Sequence, residues 1–176
     1  MKHRSVLRSF VVLLGGAIAG CAAAPPAPGP LRVPATQSLI KQLHATGVQI
    51  YECQPAKQDA AQFEWIFVGP EARLTTRSGR PVAKHYAGPT WEAKDGSRVT
   101  AETIASSRSP NANSIPWLLL RARATSGNGL FKHVQYIQRL NTAGGSLLAA
   151  ACRKDQAGQQ LRAAYTADYL FYGPKH

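Results

Sequence analysis

The sequence predicts an all-β domain, an antiparallel β-sandwich or barrel-like fold with one short N-terminal helix. Three observations carry that expectation. Short segments rich in β-branched and aromatic residues recur along residues 48–172. Gly, Pro and Asp turn signals separate them, and a helical spacing of apolar residues occurs only once.

The helical spacing lies in "ATQSLIKQLHATG", residues 35–47. Thr36 is suited to cap it, Leu39, Ile40 and Leu43 share one face, and Gly47 is suited to end it. "GVQIYEC" then alternates, with Val48 and Ile50 on one face and Tyr51 and Cys53 on the other. "FEWIFV", 63–68, follows a polar turn around 57–60, and "PEARLTTRSGR" carries turn signals before the strand "PVAKHYA". "PTWEA" and "SRVTAETIASS" flank Asp95-Gly96, a dipeptide suited to a tight hairpin.

"SIPWLLLRARAT", 114–125, is apolar enough for a strand buried on both faces. "GLFKHVQYIQRL", 129–140, reads as another strand, and 141–146 as a Gly-rich turn. "LLAAACR" leads to a cysteine as strand or short helix, and "LRAAYTADYLFYG" closes the chain as a long strand.

The ends divide the chain into three parts. Residues 1–20 have a positive start, "MKHRSVLRS", and an apolar run, "FVVLLGGAIA". That run, at about ten residues, suits an export signal and is too short to span a bilayer. Ile18-Ala19-Gly20-Cys21 is similar to the bacterial lipobox. The similarity implies cleavage before Cys21, lipidation there, and anchoring of residues 21–176 to a membrane by several acyl chains. Ala22 after the cysteine suggests the outer membrane, with the protein facing the periplasm. Residues 21–35 are rich in Ala and Pro and read as a tether. Residues 36–176 then form one domain.

The net charge of +12 includes Lys2, Arg4 and Arg8, which leave with the signal; 18 basic against 9 acidic residues remain, or +9. These charges are scattered singly, without a basic run or basic helix, so nucleic acid is not an expected partner. An anionic envelope polymer or a small ligand is. With Cys21 assigned to lipid, Cys53 and Cys152 remain in an exported domain and are expected to pair. No Cys-x-x-Cys is present, and no histidine of the mature chain has ligand-like spacing to a cysteine. Neither a metal nor a cofactor is called for.

Five segments in order, "GVQIYEC", "HYAGPTWEAKDGS", "SIPWLLL", "VQYIQRLNTAGG" and "YTADYLFY", resemble domain-of-unknown-function family 3455. That family comprises uncharacterised secreted or lipid-anchored bacterial proteins and fungal ones. The resemblance spans about residues 47–172 and implies no activity, substrate or catalytic residue. Some fungal relatives carry a malate dehydrogenase label, which this chain does not support. The nearest approach to a dinucleotide fingerprint is "GNGLFK", 127–132, which lacks the third glycine and leads into a strand-like segment.

Candidate chemistry centres on "HYAGPTWEAKDGSRV", 85–99. Glu92 and Asp95 resemble the paired carboxylates of a glycosidase, but Asp95 before Gly96 is the favoured turn residue. Glu92, beside Trp91, is expected either to pair with an arginine such as Arg139 or to line a polar pocket. His85 invites a general-base reading, yet no serine stands in a Gly-x-Ser-x-Gly context to complete a set with Asp168. His85, Tyr86, Trp91, Glu92, Trp117 and Arg139 are the candidate ligand-binding residues. The leading expectation is a non-enzymatic, lipid-anchored envelope domain that binds a small molecule, glycan or protein. The alternatives are an envelope hydrolase acting on a polysaccharide or ester, and a structural or stress-related envelope protein.

Overall fold

The computed structural model describes residues 27–147 and 151–175. The expected cleavage site and Cys21 lie outside the described residues, as do positions 148–150 of "LLAAACR". Nine strands make one antiparallel sheet. They are β1 (Gln37–Pro55), β2 (Phe63–Thr75), β3 (Pro81–Tyr86), β4 (Thr90–Ala93), β5 (Arg98–Ser107), β6 (Trp117–Ser126), β7 (Tyr136–Gly144), β8 (Ala151–Cys152) and β9 (Gln160–Pro174). β1 pairs with both β2 and β9, so the sheet meets itself and eight strands form a closed ring. Each strand of the ring lies beside its neighbours in sequence, with only the short β8 set aside against the start of β2. Closure removes the open edges that an isolated sheet would present.

The expected N-terminal helix is not there, because a turn at 35–36 leads into β1, which runs through the rest of its span. Leu43 and Ala45 alternate into the core, whereas Leu39 and Ile40 stay about half exposed beside a register shift. Three apolar residues at helical spacing were too few to distinguish the two periods, and pairing on both sides decided for strand. Gly47 does not end an element. It lets β1 approach β2, since a Cβ there would run into the backbone of Glu71 and Ala72.

Three further segments depart from expectation; one is 141–146, read as a turn, where β7 continues as strand through Gly144. β2 continues through "PEARLT", so the turn falls at 76–80. Residues 129–135 are not strand: β7 starts only at Tyr136. Instead the β6–β7 loop folds under one end of the ring. Its backbone is drawn in by the β4–β5 turn, where Asp95 Oδ2 accepts from Leu130 N–H at 2.8 Å and Ser97 Oγ from Phe131 N–H at 3.1 Å. Asp95 Oδ1 also accepts from the Ser97 amide and hydroxyl, and Gly96 takes the positive φ of 83° that the tight turn needs. Phe131, fully buried, plugs this end together with Leu74, Val99, Val134 and Phe171.

The strand 117–126 is covered on both faces at its start, as expected for it. Leu118 and Leu120 belong to the interior cluster, while Trp117 and Leu119 pack outside against Leu31 and Leu140. Leu31, in a one-turn 3₁₀ helix over Gly29–Leu31, is fully buried there. Its carbonyl accepts from Gln138 Nε2 at 2.6 Å. The last residues of the Ala/Pro-rich segment therefore dock on the outer wall. Cys53 and Cys152 form the expected disulfide, at the opposite end from the Phe131 plug.

Candidate functional site

The end away from Phe131 is not filled. A cavity of about 360 Å³ opens there between β1, β2, the β3–β4 turn and the segment entering β6. An eight-stranded ring has an interior just wide enough either to fill with side chains or to hold one small ligand. Here the two outcomes divide the barrel lengthwise.

The back of the cavity is aromatic. His85 on β3 and Trp91 on β4 are direct cross-strand partners, and both point inward. Their rings stack at 4.2 Å with 7° between planes, and Tyr169 of β9 meets each of them edge-on. The carbonyl of Thr90 lies 2.8 Å from His85 Nδ1 and can only accept, so Nδ1 carries the proton and Nε2 is left as an acceptor. Burial, opposed by that hydrogen bond and aided by the nearby Arg139 charge, lowers the His85 pKa to about 3. The imidazole is neutral at any physiological pH, which makes it a weak base and a flat, packable ring.

Arg139 is the one ionised side chain in the lining. It stands on β7 opposite Tyr169, and its Nε and Nη2 both donate to the carbonyl of Pro116, at 3.1 and 2.9 Å. No carboxylate pairs with it among the described residues. Its charge opposes the effect of burial on the hydroxyls of Tyr51, Tyr165 and Tyr169, all three of which are held above the usual tyrosine pKa.

Several buried polar atoms of this region make no hydrogen bond of ordinary geometry: Gln49 Nε2, Trp91 Nε1, and the hydroxyls of Tyr165 and Tyr169, which stand near each other and near Gln49 and Arg139 respectively. Three of the four belong to residues that line the cavity. Native interiors rarely leave such groups unpaired, and here they gather in the wall behind the opening; Trp117 Nε1, on the outer wall, is unpaired too. The rim is apolar, with Phe67 and Val68 about half exposed and Phe67 edge-on to Tyr51 at 5.6 Å. A register shift in β2 lies beside this rim, and another in β5 adjoins Thr103 of the lining.

The structure thus brings His85, Trp91 and Arg139 together and leaves the other three candidates elsewhere. Tyr86 and Glu92 follow and flank the inward residues by one position, which places them on the outer face. Glu92 does not pair with Arg139. Its Oε2 accepts from Tyr86 Oη at 2.7 Å and from Arg98 at 3.0 Å, and its Oε1 lies 3.1 Å from Lys84 Nζ. The Tyr86 hydroxyl above all, then Lys84, holds its carboxyl below the usual range. Lys84, Glu92 and Arg98 are successive cross-strand neighbours, an ordinary surface charge ladder. Trp117 is buried on the outer wall beside Leu31. Glu92 and Asp95 do not converge, and Asp168 is bound to His44 and Asn141, not to His85.

Among the lining residues that the sequence reading did not place at a site are the polar Gln49, Tyr51 and Tyr169. Gln49 was detectable in principle, as a polar residue in phase with Leu43 and Ala45.

The fold and cavity define a class, an eight-stranded antiparallel ring open at one end. Within that class, residues 34–173 match the family model described as "Protein of unknown function (DUF3455)", and the chain belongs to that family. No curated protein and no solved structure matches it.

Proposed function

We propose that this domain binds a small molecule in its open end while a lipid on Cys21 holds it at the bacterial envelope, facing the periplasm from the outer membrane. The observation that carries the binding reading is the coincidence of a cavity with buried, unpartnered polar atoms on Gln49, Trp91 and Tyr169. What favours binding over hydrolysis is the lining itself. It contains no carboxylate, and its histidine, with a pKa lowered to about 3 and its ring stacked on Trp91, is too weak a base for proton abstraction near neutral pH. The envelope location rests on the lipobox-like sequence; among the described residues no helix is long and apolar enough to cross a membrane.

The direct test is mass spectrometry of the protein purified without denaturation. A stoichiometric small molecule, lost on organic extraction, is the expected result. A chain that carries nothing, and that binds no member of a metabolite library, contradicts the reading. For the anchor, Cys21→Ser should move the protein out of the membrane fraction, and full retention there would refute lipidation.

A further inference from the structure

We infer that the cavity selects an organic carboxylate, a molecule with one negative head for Arg139 and a compact apolar body for the surrounding wall. This deepens the small-molecule reading and rests on it. The first argument is charge. Arg139 is the only ionised group in the lining, it is partly buried, and it has no carboxylate partner among the described residues. A guanidinium has five N–H donors in a planar fork; Nε and Nη2 each donate to Pro116, and the Tyr169 hydroxyl stands near the guanidinium. The remainder suits the two oxygens of a carboxylate.

The second argument is the balance of donors and acceptors. The Trp91 indole can only donate, and the unpaired atom of Gln49 is its amide nitrogen, a donor as well. With Arg139 they outnumber the one free acceptor of the lining, His85 Nε2, so the wall favours an acceptor-rich ligand. A cationic ligand would meet Arg139 with nothing to offset it. A phosphate dianion would bring a second negative charge that no other cation of the lining answers. The third argument is shape. Phe67, Pro70, Ile115, Leu118 and Leu120 supply apolar wall. At about 360 Å³ the space is near the lower end of ligand pockets, which run from about 300 to 1,000 Å³. A single- or double-ring body fits that description better than a glycan chain does.

The test uses the full-length protein in lipid nanodiscs and three probes of one shape, 1-naphthoate, neutral 1-naphthamide and cationic 1-naphthylmethylamine, titrated by calorimetry. The naphthoate should bind about 10- to 100-fold more tightly than the amide, the range expected for hydrogen bonds to a charged group. The amine should be the weakest of the three. Arg139→Gln should remove the preference for naphthoate and leave the amide within about 3-fold. Arg139→Lys, which keeps the charge without the fork, should fall between the two and serves if Arg139→Gln does not fold. Equal binding of naphthoate and amide, or an unchanged preference in Arg139→Gln or Arg139→Lys, would overturn the carboxylate assignment while leaving the cavity as a binding site. Failure of all three probes to bind the wild-type protein would count against both.

Discussion

The two ends of the ring use the same eight strands and reach opposite results. At one end a loop inserts Phe131, and Leu74, Val99 and Phe171 close around it, all four fully buried. At the other the strands carry Gln49, His85, Arg139 and Tyr169 at the inward positions, and polar atoms are left over. The first end is held by packing. The second is braced by the disulfide between Cys53 and Cys152 and by the stack of His85 on Trp91. The contrast teaches where stability was spent: a site kept open must be supported by something other than its own filling.

The largest effect should come from removing the brace. The Cys53–Cys152 link spans 99 positions. In the chain-entropy account a loop of that length stabilises by about 4–5 kcal/mol. A Cys53→Ala/Cys152→Ala protein should show that loss in chemical denaturation, and the wild type should show it on reduction. Next in size, Phe131→Ala at the packed end should cost about 3–5 kcal/mol, the range for deleting a buried phenyl group. It should do so without touching ligand affinity. A large affinity loss from Phe131→Ala would break the division between the ends.

His85 gives the division a pH signature. Its folded pKa, about 3, lies below the ordinary histidine value, so between roughly pH 6.5 and 3 the unfolded chain takes up a proton that the folded one refuses. Its stabilising contribution is therefore full above pH 6.5 and declines as the pH falls, reaching a few kcal/mol of loss by pH 3 at about 1.4 kcal/mol per pKa unit. In His85→Gln, which cannot titrate, the slope between pH 6.5 and 5 should flatten. Wild-type and variant curves that run parallel would show that His85 does not set it.

Smaller still is Tyr169→Phe. Deleting a buried hydroxyl that has no partner should leave the melting temperature equal or slightly raised, in contrast to the usual cost of losing a satisfied one. Glu92→Gln should be the quietest. Its ladder with Lys84 and Arg98 is on the outer face, and both melting and probe binding should be unchanged within error. A loss of binding there would return Glu92 to the site.

Much of this was legible in the sequence, and the losses have identifiable causes. The strands on either side of Asp95-Gly96, the cysteine pairing and the two-sided burial of 117–120 follow from local chemistry: turn propensity, composition and run length. The inward face of β1 does not. With Leu39, Ile40 and Leu43 at helical spacing, the alternation that would have put Gln49 beside Leu43 and Ala45 was hidden. The same limit explains Glu92. Its neighbour Trp91 is buried, but adjacent strand residues face opposite ways, and only the register against His85 and Val99 says which of them points inward. Arg139 was picked out as a partner for Glu92 and found instead without a carboxylate among the described residues. Pairings between distant strands, which bring β7 against β9 and close β1 on β2, are what no local pattern reports.

One measurement bears most directly on the claim that the open end is a binding site. The chain has three tryptophans, Trp65, Trp91 and Trp117, whose indole N–H signals can be followed separately by NMR. Trp91 lines the cavity, Trp117 is buried on the outer wall, and Trp65 lies on the β1–β2 hairpin. On titration with 1-naphthoate the Trp91 signal should move to saturation while those of Trp65 and Trp117 hold still. A Trp91 signal that stays in place, or shifts only at Trp65 or Trp117, would contradict the account.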